Sequence, residues 1–324
     1  MSRDAKAGVA EDLLTRAVAA LPAGRYLLAV SGGRDSMVLL EAFARVRGDA
    51  AAVATFDHGT GPPAQRAATF VADEARRRGL QTVSARRTSG GASTEQGWRA
   101  ARWHFLRGAA RDLAAVVVTA HTRDDQLETV VMRALRDTQR TGARGLAAMY
   151  APSPIARPLL DVSRAEVRAW GEAHDVPFLE DPTNASREHL RNRIRHDLLP
   201  LLERSHPGFG ASMLGLSRRA ARWRADLTGV VDELCVRVAS AVVVPADVLA
   251  PISPAGLAIV WPEIAARAGV MLDRRGTERL VAFTTQGKPG SGVPLSGGAG
   301  VRRTGSTFVV VKAAGAGEAL YSIV

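Results

Sequence analysis

Residues 26–41 read Tyr26-Leu27-Leu28-Ala29-Val30-Ser31-Gly32-Gly33-Arg34-Asp35-Ser36-Met37-Val38-Leu39-Leu40-Glu41. The apolar run Leu27 to Val30, bounded by glycine, is that of a buried strand. From Ser36 onward the apolar positions fall at helical spacing through Phe43. A glycine turn therefore joins a strand to a helix N-terminus. Such a corner aims backbone N–H groups and the positive end of the helix dipole at one point. Ser31, Gly32, Gly33, Arg34, Asp35 and Ser36 form a phosphate cradle in this reading, with the two hydroxyls as added donors. The stretch lacks the Lys-Ser/Thr of a Walker A loop and the Gly-x-Gly-x-x-Gly of dinucleotide folds.

Outward from this corner, strands alternate with helices. A short amphipathic helix is expected over 9–21 and a helix over 36–47. Ala51 to Phe56 is a strand that delivers Asp57-His58-Gly59, and a helix follows over 64–78. Gln81 to Ala85 is a third strand, and Thr94 caps a helix running to about Asp112. Val116 to Thr119 is a fourth strand delivering His121, with a helix from about Asp124 to Arg136. This alternation predicts an α/β fold with a parallel sheet wound on both faces. Ligands in such sheets lie beyond the carboxyl ends of the strands, where Ser31–Ser36, Asp57-His58 and His121–Glu128 all fall.

Pro152, Pro154 and Pro158 punctuate a linker. Ser163 and Glu166 form a capping box for a helix to about His174. Pro177 to Asn184 is a loop before a basic helix over about 188–203. An arginine-rich helix is expected over about 210–240. Residues 242–324 change character, with helices near 254–268 and 274–285 and short β segments such as Phe308 to Val311. We expect a catalytic domain over 1–205, then a helical linker and a small α+β domain over 206–324.

The 324 residues are 46% hydrophobic and 23% charged, the proportions of a globular protein. No apolar run is long enough for a membrane span, and Met1 to Asp12 has no signal-peptide core. Cys235 is the single cysteine, which excludes an intrachain disulfide framework and a Cys-x-x-Cys metal site. A reducing, cytoplasmic setting is expected. The net charge is +11, and Lys6, Lys288 and Lys312 are the only lysines. A GC-rich genome explains arginine over lysine but not basic over acidic. The surplus favours a polyanionic partner, and nucleic acid over membrane.

Asp124, Asp125 and Glu128 sit at the start of a helix, where acids also stabilise the helix dipole. Beside a phosphate cradle they would repel a triphosphate. Mg²⁺ held by Asp35 and Asp125 resolves that conflict, and the acids are equally suited to an amine. Arg102 shares a helix face with Arg99 and suits a developing phosphoryl charge. Such arginines also occur as solvated surface stripes. On the 188–203 helix, Leu190, Ile194, Leu198 and Leu201 form the expected apolar stripe. Arg191, Asn192, Arg193 and Arg195 are then expected to point away from the core, towards solvent or a polyanion.

The hexapeptide Ser31–Ser36 resembles the Ser-Gly-Gly-x-Asp-Ser signature of PP-loop ATP pyrophosphatases. Taken with Asp57-His58-Gly59, Arg99 to Leu106, His121–Thr129, Gly145 to Met149, Ile155 to Leu160 and Asp181 to Pro200, the chain resembles the tRNA(Ile)-lysidine synthetase family. It departs from the pattern at Thr122, at Gly61-Pro62-Pro63 and in the glycine content before Gly145. The resemblance is to a short form of that family, and a second C-terminal domain is not expected. The resemblance implies an ATP-dependent ligase that adenylates C2 of the wobble cytidine of tRNA(Ile) with anticodon CAU. The amine of L-lysine then displaces AMP, and codon reading changes from AUG to AUA. It implies catalytic roles for Asp35, Arg102, Asp124, Asp125 and Glu128. It also implies ATP contacts at Ser31 to Ser36, Asp57, His58 and His121, and it leaves a homodimer open. Rival readings are a PP-loop tRNA thiolase of the 2-thiocytidine type, disfavoured by the lone Cys235, and a small-molecule synthetase, disfavoured by the charge. A non-catalytic RNA-binding module is the third.

Overall fold

The computed structural model describes residues 13–87, 95–136, 142–151, 153–180 and 189–312. Two compact units are present, one of Met1–Thr141 with Gly145–Arg218, the other of Gly142–Arg144 with Arg219–Val324.

In the first unit, helix α1 (13–19) precedes strand β1 (Arg25–Ala29) and helix α2 (Arg34–Arg47). Then come β2 (Ala51–Asp57), α3 (Pro62–Arg77), β3 (Gln81–Arg86), α4 (Glu95–Asp112), β4 (Ala115–Val118) and α5 (Arg123–Arg136). The four strands are parallel in the order β3-β2-β1-β4. Successive residues of β1 supply opposite faces, as the two-residue strand period requires. Leu28 joins Val53, Val118, Phe43, Val71 and Trp170 in one core. Leu27 joins Ala52, Ala54, Leu106, Ala109 and Val117 in the other. Burial on both faces explains why β1 reads as a continuous apolar run.

A short fifth rung extends the sheet beyond β4. Ala156 bridges Val118 in parallel, with Ala156 N donating to Val117 O at 2.9 Å and Thr119 N to Ala156 O at 3.1 Å. Helix α6 (Gly142–Ala147) precedes this rung, and α7 (Arg164–Ala173) follows it. Ser163 and Glu166 complete the expected capping box.

The basic helix departs from its expected form. It is broken into α8 (Leu190–Arg193), a π-helical segment Ile194–Leu198, and α9 (Leu199–Ser205). Pro200 has no N–H for the carbonyl of His196, and Leu199 N bonds Ile194 O one residue further back. The wider turn shifts the buried face, so Ile194 is 1% exposed while Leu201, expected in the apolar stripe, is 52% exposed.

Helix α10 (Phe209–Leu234) ends earlier than expected, and strand β5 (Val236–Val238) follows. The second unit continues with β6 (Ala241–Pro245), α11 (Ala246–Leu249), α12 (Pro254–Arg267), α13 (Arg274–Gln286), β7 (Gly292–Leu295), β8 (Ala299–Thr304) and β9 (Thr307–Lys312). Its antiparallel sheet has the order β5-β6-β9-β8-β7 and packs Val242, Val244, Phe308 and Val310 with Leu257, Trp261, Ile264 and Leu280 of α12 and α13. The α/β fold with a small α+β C-terminal part is as the sequence patterns require.

Candidate active site

The sheet order reverses between β1 and β4, so the crevice beyond their carboxyl ends is where a doubly wound sheet takes its ligand. The Ser31–Ser36 loop lies there. Gly32 has φ +89°, a left-handed conformation open to glycine at no steric cost. Gly33 caps α2 without any side-chain hydrogen bond. The first-turn N–H groups thus lack intrahelical acceptors. The serines differ from expectation. Ser36 Oγ donates to Gly33 O at 2.8 Å and accepts from Ser31 N at 3.2 Å, while the two hydroxyl oxygens stand 3.3 Å apart. With the Ser36 proton given to Gly33, both hydroxyls brace the loop, and the donors left for an anion are backbone N–H groups. A strap from the 176–180 segment holds the loop from outside. Leu179 N donates to Gly32 O at 2.9 Å, and the Arg34 guanidinium lies 4.3 Å from the Phe178 ring centre.

Asp57 and His58 stand at the end of β2. Asp57 Oδ1 accepts from Gly59 N at 2.8 Å and Oδ2 lies 3.2 Å from Arg86 Nε, so its carboxylate shapes the turn. His58 packs edge-on against Phe56, with ring centres 5.1 Å apart. Burial, and then the Arg102 charge beside it, hold His58 below the usual imidazole range. His121 Nδ1 lies 2.7 Å from Thr119 Oγ1. Burial pushes His121 down to about 4; Asp125 opposes this, while Arg157, Arg191 and Arg102 add to it. Its imidazole is neutral at physiological pH.

The carboxylates of α5 are not open. Thr122 caps the helix: its N and Oγ1 each donate to Asp125 Oδ2 at 2.9 Å. Asp125 Oδ1 accepts from Arg164 Nη2 and Arg191 Nη2, both at 3.0 Å. Glu128, with a side chain 1% exposed, takes Arg191 Nε at 2.7 Å, Arg195 Nε at 2.7 Å and Arg164 Nη2 at 3.2 Å. Asp124 Oδ2 accepts the backbone N–H of Arg164 at 2.8 Å and so fastens α7 to α5. Burial raises Asp125, but Arg164, the Thr122 N–H and Arg191 outweigh it and hold the group below the ordinary range.

Asp35 lies on the other side of the same arginine, 3.8 Å from Arg164 Nε and beyond hydrogen-bond distance. Burial raises Asp35 to about 6 against the pull of Arg164. A half-buried carboxylate with uncommitted lone pairs beside a phosphate cradle suits a hard cation that also takes phosphate oxygens. Asp125 fits less directly, because each of its oxygens already accepts from a donor. Among the described residues no three His, Cys, Asp or Glu side chains are grouped to hold a metal.

Arg164 thus stands between Asp35, Asp125 and Glu128, and the charges of Asp125 and Arg102 both bear on His121. The structure corrects the orientation expected for the basic helix. Arg191 and Arg195 turn inward to carboxylates, Asn192 is buried, and Arg193 alone of the four is exposed. Asp181 to Asn184 lie outside the described residues. Sequence reasoning gave no role to Arg164, which touches Asp35, Asp125 and Glu128 at once. Its only signal was its place directly after the Ser163 cap.

Comparison with known proteins identifies the family. The PP-loop domain family model matches residues 8–202. A tRNA(Ile)-lysidine synthase of Salinispora arenicola is 37% identical, over 91% of this chain and 93% of its own length. Those of Bradyrhizobium and Thermus thermophilus are 41% and 34% identical, over 61% and 90% of this chain. This chain spans only 58% and 57% of those two relatives. Among solved structures, a U34-tRNA thiolase from Methanococcus maripaludis aligns with TM-score 0.54 at 14% identity, covering 69% of this chain and 80% of that one, a likeness of fold alone. The chain belongs to the tRNA(Ile)-lysidine synthase family and carries that family's PP-loop domain.

Proposed function

We propose that this chain ligates L-lysine to C2 of the wobble cytidine of tRNA(Ile) with anticodon CAU, using ATP and releasing AMP and pyrophosphate. One observation carries the reading. A backbone N–H cradle for an anion and a buried carboxylate pair for a cation share one end of one sheet. A nucleotide phosphate fits the cradle, and a protonated amine fits the carboxylates once it takes the place of a guanidinium.

The first step joins the cytidine O2 to the α-phosphorus as the bond to the β,γ-diphosphate breaks. The free N–H groups at Gly33 to Ser36 hold the departing diphosphate, and Arg102 faces the transferred phosphoryl group. Asp35 would hold Mg²⁺ beside the phosphates, with Asp125 next to it, and the ion supplies charge neutralisation there when bound. Asp57 shapes the loop after β2, while His58 and a neutral His121 line the nucleotide. In the second step the lysine amine attacks C2 and AMP leaves. Asp125 and Glu128, with Asp124 steadying α7, bind the amine and accept its proton. A guanidinium must first exchange away from them.

Arg193 faces the RNA backbone, and Arg191, Asn192 and Arg195 complete the contact surface when they are released. Residues 1–205 act as the catalytic domain and 206–324 as the helical linker and tRNA-contacting domain. No described helix is long and apolar enough to cross a membrane, and we place the reaction in the cytoplasm, where tRNA, lysine and ATP meet. Incubation with ATP, lysine and a tRNA(Ile) transcript, followed by mass spectrometry of the anticodon nucleosides, tests the proposal. A cytidine heavier by one lysine residue is expected, and an unmodified cytidine under all conditions rejects it.

A further inference from the structure

The arginines at this site fall into two electrostatic classes. Arg164, Arg191 and Arg195 sit against Asp125 and Glu128, so their charges are compensated within the protein. Arg102 and Arg157 are of the other kind. The Nε of each is enclosed with no hydrogen-bond partner among the described residues. Arg157 Nη1 makes one long contact, 3.4 Å to Met149 O. Burial depresses both guanidinium groups, and no carboxylate raises either one.

The backbone fixes where Arg157 stands. The Ala156–Val118 bridge and the Thr119 N to Ala156 O bond place it as the next residue along the fifth rung, level with Thr119 at the carboxyl edge of the sheet. The charges of both Arg157 and Arg102 bear on His121. Two guanidinium groups with no carboxylate partner, each with its Nε enclosed and unpaired among the described residues, are an incomplete anion site. An unpaired buried charge destabilises a fold, and an arriving phosphoryl group removes the penalty.

We propose that Arg157 is a catalytic residue that pairs with Arg102 to bind the α-phosphoryl group, first in ATP and then in the adenylate. The backbone N–H cradle is left to the β,γ-diphosphate. This inference rests on the nucleotide reading of the site. It separates the two phosphate subsites by their donors: planar guanidinium groups for the phosphoryl group that is transferred, and backbone N–H groups for the diphosphate that departs.

Thermal unfolding of the full chain with ATP, AMP or inorganic pyrophosphate tests it, using wild type, Arg157→Met and Arg157→Lys. Wild type is expected to be stabilised by all three ligands. Arg157→Met should melt at or above the wild-type temperature without ligand, because it removes an uncompensated charge. Its shifts with ATP and AMP should fall sharply and its shift with pyrophosphate should stay. Arg157→Lys keeps the charge and should restore part of the AMP shift. Adenylation by Arg157→Met should drop by about 100-fold, the scale for losing one donor to a developing phosphoryl or oxyanion charge. A wild-type AMP shift in Arg157→Met, whatever its melting temperature, overturns the assignment. Absence of any ATP shift in wild type overturns the nucleotide reading beneath it.

Discussion

Arg195 Nε lies 2.7 Å from Glu128 Oε1, although the two residues are 67 positions apart and Glu128 is 1% exposed at its side chain. Arg191 meets the other oxygen of the same carboxylate at 2.7 Å. With Arg164 and Asp125, these residues form a buried ionic cluster in which arginine brought by the basic helix neutralises the carboxylates of α5. Lysine therefore meets a site whose acids are already occupied by cations of the protein itself.

The cluster makes Glu128→Gln a severe change. Three guanidinium groups would be left around Asp125, and removing one partner of a buried pair costs about 3–5 kcal/mol. Urea unfolding of the variant measures this directly. A loss below about 1 kcal/mol would mean that the arginines swing out to solvent unaided.

The inward turn of Arg191 and Arg195 also divides the basic helix by function. Arg193 is exposed, while Arg195 is held by Glu128. Arg193→Ala should reduce the salt slope of tRNA binding by about one, the value for one lost phosphate contact. Arg195→Ala should lower stability and, because Arg195 joins the RNA contact only on release from Glu128, reduce that slope by less than Arg193→Ala does. Equal slope changes in the two variants would show that RNA draws Arg195 off Glu128.

Legibility in the sequence followed the range of the interactions. The Ser31–Ser36 corner is local: glycines, a short apolar run and a helical period lie within a dozen residues, and the structure reproduces that corner. The capping box of Ser163 and Glu166 is equally local. A uniform period of 3.6 points Arg191 and Arg195 outward, whereas the structure breaks that period at Ile194–Leu198 and ties both arginines to Asp125 and Glu128, more than 60 positions away. Arg157 and Arg164 carry no periodic signal. Their importance arises from the Ala156 rung and from the Arg164–Asp124 backbone bond, which join segments distant in the chain.

Gln126 lies between Asp125 and Glu128 in sequence and is fully buried. Its Nε2 donates to Ala147 O at 3.0 Å and Ser217 Oγ at 2.7 Å, and its Oε1 accepts from Met149 N at 2.8 Å. Those bonds hold the 147–149 turn, where Ala148 has φ +46°. Gln126→Leu keeps the volume but leaves Met149 N–H unpaired, and should cost about 3 kcal/mol. Hydrogen exchange at Met149 reads the effect locally. Unchanged protection there would show that the turn is held by other contacts.

Asp35 supplies a pH signature. Burial raises it from 3.8 to about 6, so the folded chain holds its proton more tightly than the unfolded chain does. That preference stabilises the fold fully below about pH 4, and it is lost as pH rises through about 6. Above that range Asp35 is a charged group held in a poorly solvated place. Asp35→Asn should therefore gain stability over wild type on going from pH 5 to pH 8, by about 1 kcal/mol after allowance for solvent screening. The same variant should lose tRNA-dependent ATP–pyrophosphate exchange, since asparagine cannot supply the negative charge proposed to hold a cation beside the phosphates. Urea titrations of both proteins at the two pH values, with exchange assays at pH 8, provide the comparison. A stability difference that does not change with pH would show that Asp35 titrates as an ordinary surface carboxylate, and retained exchange would remove it from the nucleotide site.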